Sequence, residues 1–112
     1  MSTSKKKEIN QCNAAGKKEG YWEDCCSNGQ LHYKGNFLNG KRDGWWEFYM
    51  LKGQLYSKGH FINGKENGWW EWYHENSKLW YKGNFINGIK DGLCVEYNES
   101  GNLKESIFYV NI

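Results

Sequence analysis

The sequence predicts an all-β protein, an elongated antiparallel meander of tandem β-hairpin repeats. Three observations support this prediction: a period of 24 residues, Asn-Gly pairs that recur with it, and 14 glycines without any proline. A fixed period is the signature of a repeat architecture. Asn-Gly is the strongest two-residue hairpin signal, and glycine without proline suits tight turns between short strands. We therefore expect about eight strands, with each repeat adding one hairpin.

The period of 24 is visible at five positions, one of which, the strand glycine, is absent from the fourth unit. In chain order they are Gly20, Gly44, Gly68 and Gly92; Trp22, Trp46, Trp70 and Cys94; Leu31, Leu55, Leu79 and Leu103; Gly35, Gly59 and Gly83; and Phe37, Phe61, Phe85 and Tyr109. We divide the chain into a flexible basic tail (1–8), a degenerate half repeat (9–19) and four repeats (20–43, 44–67, 68–91 and 92–112).

Two turns predict the strand registers. A type I′ turn at Asn63-Gly64 followed by an uninterrupted ladder places Trp70 opposite Ser57. A ladder from a second turn, near residues 50–53, places Trp46 opposite the same serine. Because side chains alternate along a strand, both registers put the large apolar residues on one face. The predicted core consists of Trp46, Trp70, Leu55, Leu79, Phe61 and Phe85.

Glycine also recurs in the middle of predicted strands, at Gly35, Gly59 and Gly83. Glycine weakens a strand interior, so it normally marks either a sharp bend or a ring that lies over the backbone. Both explanations are open from the sequence.

Residues 33–44, Tyr-Lys-Gly-Asn-Phe-Leu-Asn-Gly-Lys-Arg-Asp-Gly, resemble the MORN repeat, and residues 81–92 repeat the pattern. That motif reads roughly Tyr-x-Gly-x-Trp-x-x-Gly-Lys-x-x-Gly. The resemblance covers about residues 14 to 112, with Phe where the motif prefers Trp, Ser57 for Tyr, and Ile107 and Ile112 for glycines. An extra Trp-Glu-x-Tyr strand is similar to the bacterial or viral variant branch, often labelled antitoxins. The resemblance implies protein–protein scaffolding, sometimes at membranes, and no intrinsic chemistry.

Candidate catalytic and metal-binding residues are weak. The histidines His32, His60 and His74 fall at different phases of the repeat and build no recurring ligand set. Cys25 and Cys26 have no second pair at metal-ligand spacing, and neither a nucleophile elbow nor a carboxylate pair stands out. The sequence therefore predicts no catalytic residue, no metal site and no cofactor.

The face opposite the predicted core is the candidate binding surface. The two registers place Lys58 opposite both Trp45 and Trp69, where its stem would cross the indoles. An exposed stripe of Tyr and Trp is larger than a monomer normally shows to water, and interfaces favour these residues. The alternative is a solvated face whose Glu and Lys rows pair with each other. The predicted binding surface comprises Tyr21, Trp45, Tyr49, Tyr56, Lys58, Trp69, Tyr73, Trp80 and Lys82.

These features favour a non-catalytic binding or scaffolding module with a protein partner, with itself as a homo-oligomer, or with both. Two alternatives are a nucleotide or sugar binder that stacks its ligand on the same stripe, and an antitoxin or immunity-type inhibitor. A net charge of +2 from 15 basic and 13 acidic residues gives no case for nucleic acid. Only Lys5-Lys6-Lys7 offers a basic patch to a membrane. Without a recognisable signal peptide, and with its thiols mostly free, the chain is expected in the cytoplasm.

Overall fold

A computed structural model of the chain describes residues 9–111, which form one open antiparallel sheet. The strands are β1 (Gln11–Cys12), β2 (Lys18–Cys25), β3 (Leu31–Leu38), β4 (Lys41–Tyr49), β5 (Leu55–Ile62), β6 (Lys65–Tyr73), β7 (Leu79–Ile86), β8 (Ile89–Tyr97) and β9 (Leu103–Tyr109). Each strand pairs with the next in chain order, which confirms the predicted all-β meander. The predicted tail at 1–8 and Ile112 lie outside the described residues. Within the described part no helix is long and apolar enough to cross a membrane.

The sheet is elongated, with principal extents of 53 × 36 × 29 Å and a radius of gyration of 16.8 Å. A compact domain of this length would have a radius of gyration of about 13 Å. The short β1 comes from the degenerate half repeat and pairs with β2. Each later repeat adds one hairpin to the growing sheet, so the shape follows directly from the period.

Two kinds of turn alternate along the sheet. In the Asn-Gly turns both residues have positive φ, for example 54° at Asn63 and 81° at Gly64, which confirms the type I′ prediction. The other turns span residues 26–30, 50–54, 74–78 and 98–102 and share one hydrogen-bond pattern. In the second of them the Met50 amide donates to the Gln54 carbonyl oxygen at 2.8 Å. The backbone hydrogen bonds of these turns therefore also repeat every 24 residues.

The strand registers differ from the predicted ones by two residues. Trp46 and Trp70 both lie opposite Gly59, whereas the uninterrupted ladders placed them opposite Ser57. A shift by two residues leaves the side chains of Trp46 and Trp70 on their predicted face, because the side-chain period of a strand is two. The predicted face of Trp46 and Trp70 is therefore confirmed, whereas their predicted cross-strand partner, Ser57, is wrong.

Bulges cause the shift. Between β5 and β6 the three residues 67–69 face His60 alone, which adds two residues to one strand. Between β4 and β5 the turn closes with Met50 opposite Gln54, and Tyr56 then has no partner on β4. Bulges of this kind bend a strand locally and redirect single side chains, and the hydrophobic pattern alone does not locate them.

The core consists of large rings on one face, which we name the core face. Trp46 is completely buried, and it forms one cluster with Phe61, Trp70 and Phe85. The indole nitrogens of Trp46 and Trp70 donate to strand carbonyl oxygens at 2.9 and 3.0 Å. Four of the six predicted core residues are therefore confirmed. The remaining two, Leu55 and Leu79, are half-buried and lie outside the cluster. Beyond the bulges they lie opposite Tyr49 and Tyr73, whose side chains belong to the other face.

Two of the mid-strand glycines lie under the rings of the next strand, and the third, Gly83, lies under the Cys94 sulfur. A Cβ atom added to Gly35 would overlap the Trp46 indole, and one added to Gly59 would overlap the Trp70 indole. Of the two explanations for a glycine in a strand, a ring that lies over the backbone is therefore the correct one for Gly35 and Gly59. A local shift of the strand register accompanies it at both positions.

Candidate functional site

The face opposite the core, which we name the outer face, carries a ladder of opposite charges. Lys58 lies opposite Glu47 on one side and Glu71 on the other. The predicted position of Lys58 between two indoles is therefore wrong: Trp45 lies opposite His60, and Trp69 lies opposite Asn84. Because the bulges shift the register by two residues, Lys58 lies between two carboxylates and not between two indoles.

Neighbouring rungs of the ladder follow the same pattern. Lys34 lies opposite both Glu23 and Glu47, and its Nζ atom is 3.9 Å from Oε1 of Glu47. Lys82 lies opposite Glu71 and Val95, so the carboxylate row ends at the last repeat. Cross-strand pairs of opposite charge contribute roughly 0.2–1 kcal/mol each. The ladder therefore adds a modest stabilisation to the observed register.

The tyrosines of the predicted surface belong to the ladder. The hydroxyls of Tyr21, Tyr49 and Tyr73 donate to the carboxylate oxygens of the Glu rows at 2.9, 3.0 and 2.8 Å. Lysine ammonium groups lie over two of these rings, at 5.9 Å in each case. All three rings are half-buried. Their hydrogen bonds order the glutamate side chains of the outer face, and little of each ring is exposed to a partner.

Burial raises the pKa of Tyr21 to about 12, and the hydrogen bond to Glu23 adds to the rise. Burial and the neighbouring carboxylates likewise raise the pKa values of Tyr49 and Tyr73. A phenolate beside a carboxylate is disfavoured by charge repulsion as well as by lost hydration.

We expect stability to fall as pH rises from about 10 to 12. In this range the unfolded chain releases the Tyr21 proton while the folded protein keeps it, so deprotonation favours the unfolded state. Phenolate absorbance should show a late phase above the ordinary tyrosines, and Tyr21→Phe should reduce the amplitude of that phase, which Tyr49 and Tyr73 share. The pH profile of urea unfolding should become shallower in the same variant. Tyr21 titrating near 10 in the folded protein would contradict the expectation.

The exposed rings of the outer face are tryptophans. Trp45 is 44% exposed and Trp69 is 48% exposed. The Trp69 indole donates to Oε1 of Glu71 at 3.3 Å, and the Trp45 ring meets the edge of His60 with centroids 5.2 Å apart. Each indole thus has a fixed neighbour and a free surface.

Two apolar residues extend the exposed row, and the sequence reasoning missed both. Leu93 is 52% exposed and lies opposite Phe108, which is 68% exposed. The signal was available for Leu93, because it occupies the phase of Trp45 and Trp69. Phe108 occupies the phase of His60, so its apolar character at that phase is particular to the last repeat.

Tyr56 and Trp80 do not extend the outer-face row. They occupy the bulges of successive repeats, and the Trp80 indole donates to Glu96, which lies opposite Tyr81 of the core face. A groove of about 330 Å³ is lined by both bulge residues together with core-face side chains: Tyr56, Glu66, Trp72, Trp80, Tyr81, Phe85 and Lys90. The structure therefore divides the predicted binding surface between two faces.

Cations lie over the rings of the core face, a feature that the sequence reasoning also missed. Lys18 lies 4.8 Å from the Trp22 ring centre, Arg42 lies 5.3 Å from that of Trp46, and Lys90 lies 4.8 Å from that of Tyr81. The signal was basic residues at a single phase, which the third repeat interrupts with Glu66. Such contacts are worth about 0.5–1 kcal/mol at exposed sites.

The cysteines of the described part are free thiols, and Cys94 alone among them is buried. Cys25 and Cys26 stand side by side without a bridge. Within residues 9–111 no group of three His, Cys, Asp or Glu side chains is placed to hold a metal ion.

The comparison with protein families identifies two adjacent repeats. Residues 66–87 and 90–111 each match the family model described as the MORN repeat variant. No curated protein matches the chain. The two matches agree with the resemblance that the sequence showed, and together with the repeated hairpin sheet they fit a non-catalytic binding or scaffolding module.

Proposed function

We propose that the protein is a non-catalytic binding module of the cytoplasm that docks a partner protein, or a second copy of itself, on its outer face. The observation that carries the proposal is the pair of exposed indoles, Trp45 and Trp69, one repeat apart on one face. Burying a large exposed ring is a strong source of binding energy, and tryptophan is enriched among the residues that dominate interfaces.

The spacing of the two indoles suits a periodic row of contacts. Trp45 lies on β4 and Trp69 lies on β6, so two strand spacings, roughly 9–10 Å, separate their attachment points. Tyr21 precedes them and Leu93 follows them at the same phase. A partner that extends from β4 to β8 would meet an exposed apolar group at each of three successive repeats.

The surroundings of the indoles favour binding further. The Glu71 carboxylate accepts hydrogen bonds from both Trp69 and Tyr73, which restricts the Trp69 ring before a partner arrives. A side chain that is already ordered loses less entropy on binding. The flanking Lys and Glu rows supply a polar rim of mixed sign, and such a rim favours a protein over a polyanion.

A double substitution tests the proposal. In pull-downs from the native source, Trp45→Ser with Trp69→Ser should lose the proteins that the wild type retains. Trp80→Ser provides the matched control, because it removes an indole from the bulge row and leaves the outer face intact. Equal retention by the double variant and the wild type would place binding elsewhere and overturn the proposal.

Self-association is tested separately, by light scattering over a wide range of protein concentration. If the partner is a second copy, the mass should rise with concentration for the wild type and for Trp80→Ser, and the double variant should remain monomeric. A monomeric wild type would leave the heterologous partner as the proposed occupant. The antitoxin label of the variant branch suggests one such partner, a toxin whose activity falls when it binds the outer face.

A further inference from the structure

One member of the cation row on the core face is replaced by a carboxylate. Lys18, Arg42 and Lys90 occupy a single phase of the period, and Glu66 stands at that phase between Arg42 and Lys90. The Arg42 guanidinium lies 5.3, 5.5 and 5.6 Å from three ring centres: Trp46, Phe48 and Phe61. One period later, no lysine or arginine of residues 9–111 lies over the equivalent rings, which are Trp70, Trp72 and Phe85.

The three rings without a cation keep the geometry of the rings that hold Arg42. Trp70 and Trp72 stack with ring centres 5.5 Å apart and planes at 26°, and the pair one period earlier is 5.8 Å apart at 24°. Trp72 meets the edge of Phe85 at 5.7 Å, and the pair one period earlier meets at 6.4 Å. The frame that seats a guanidinium is therefore present a second time.

The structure leaves open space at these rings. Ser57 lies opposite Trp72, whereas a tyrosine, Tyr33, stands at that phase one period earlier. Serine has no ring, and an opening of about 410 Å³ remains, whose walls include Ser57, Glu66, Trp70 and Trp72. The groove of about 330 Å³ described above shares Glu66 and Trp72 with this opening and extends to Phe85. We name the two openings together the Glu66 groove.

The Glu66 carboxylate is an acceptor without a partner at the wall of the groove. Within residues 9–111 it makes no hydrogen bond and no ion pair. Its Oε1 atom lies 3.9 Å from the position of a Cβ atom built on Gly88, so the carboxylate stands beside the Asn87-Gly88 turn. A carboxylate can accept two parallel hydrogen bonds from one guanidinium. The groove thus combines ring faces with a negative charge.

The cations at the two ends of the groove leave room for another. Arg42 and Lys90 line these ends. Lys18 and Arg42 already stand one period apart in the row, two strand spacings or roughly 9–10 Å between their attachment points. A cation over the open rings would keep the same spacing, which is about the Debye length at physiological salt. The Glu66 carboxylate offsets the remaining repulsion.

We propose that the Glu66 groove binds an arginine side chain of a partner protein, whose guanidinium lies over Trp70, Trp72 and Phe85 and pairs with Glu66. A guanidinium is planar, stacks on aromatic faces and is enriched at protein interfaces. Tyr56, 41% exposed, lines both openings and gives the groove an aromatic rim. The site lies on the core face, apart from Trp45 and Trp69, so it goes beyond the proposed outer-face function.

Short peptides followed by NMR test the site. Acetyl-Gly-Arg-Gly-amide should shift the indole N–H signals of Trp70 and Trp72 and the ring signals of Phe85. The matching citrulline peptide has nearly the same shape without the charge, and it should bind about tenfold more weakly or less. The matching lysine peptide should also bind more weakly, because an ammonium neither stacks on rings nor forms two parallel bonds to a carboxylate.

Substitutions at Glu66 provide the second part of the test. Glu66→Gln keeps the shape of the side chain and removes its charge, so affinity for the arginine peptide should fall about fivefold. Glu66→Arg supplies a cation from the chain itself, as Arg42 does one period earlier, and should lower affinity by about tenfold or more. Glu105→Gln removes a carboxylate from β9, outside the groove, and should bind as the wild type does.

Three results would overturn the proposal: equal binding of the arginine and citrulline peptides, tighter binding of the lysine peptide, or no shift at these rings at the solubility limit of the arginine peptide. Unchanged affinity in both Glu66 variants would do the same. Trp45→Ser with Trp69→Ser should bind the arginine peptide normally, so failure of this site and failure of the proposed outer-face function are independent results.

Discussion

Trp46→Ala should lower the free energy of unfolding by about 3–5 kcal/mol, the usual range for a large ring in a core. The Trp46 side chain is 0% exposed. Its ring meets Phe37 edge-on with centroids 4.9 Å apart, and its nitrogen donates to the Asn36 carbonyl oxygen. The substitution therefore leaves a cavity and an unsatisfied acceptor. Because a domain of this size is stable by about 5–15 kcal/mol, the loss is a large fraction of the total stability.

The adjacent tryptophan provides the control for this prediction. Trp45 directly precedes Trp46 on β4, but its side chain is 44% exposed on the outer face. Trp45→Ala should cost much less, and urea unfolding of both variants measures the difference. Equal losses of stability would mean that the assignment of core face and outer face is wrong.

Gly59→Ala should cost about 3 kcal/mol, a large effect for the addition of one methyl group. Gly59 is buried, and the added Cβ atom would overlap the Trp70 indole. The ring has no room to retreat, because Phe61 packs against it with centroids 4.9 Å apart. Either the strands separate or the ring leaves the core.

Two comparisons separate this steric cause from backbone strain. Gly20 has a φ of +77° and no atom within 4 Å of an added Cβ, so Gly20→Ala should cost only the left-handed strain, about 1 kcal/mol. In a Trp70→Ala background, Gly59→Ala should cost far less than it does alone, and a double-mutant cycle measures that coupling. Additive losses would show that the indole is not the cause.

The candidate site was predictable only in part. The exposure of Trp45 and Trp69 follows from alternation along a strand. The position of Lys58 between Glu47 and Glu71 does not, because it depends on bulges that shift the register by two residues. The repeat pattern does not show such shifts, since an even shift leaves the pattern of faces unchanged.

Tyr56 and Trp80 show the other consequence of a bulge. A bulge adds one residue to a strand, so the residues on either side of it no longer follow simple alternation. Both rings consequently line a groove with core-face residues. Leu55 lies opposite Tyr49 for the same reason, and it lies outside the buried cluster.

By itself the sequence determined the strand order, the type I′ turns and the faces of Trp45, Trp46, Trp69 and Trp70, because these depend on local conformation and on a strict period of 24. The tertiary structure decided which residues meet across the strands. It also decided what surrounds Cys94, which stands at the phase of Trp46 and Trp70, because the residues beside it come from β7, β8 and β9. Pairing partners depend on the total number of residues between two strands, including the bulged ones, and the close packing of rings on glycine selects that number.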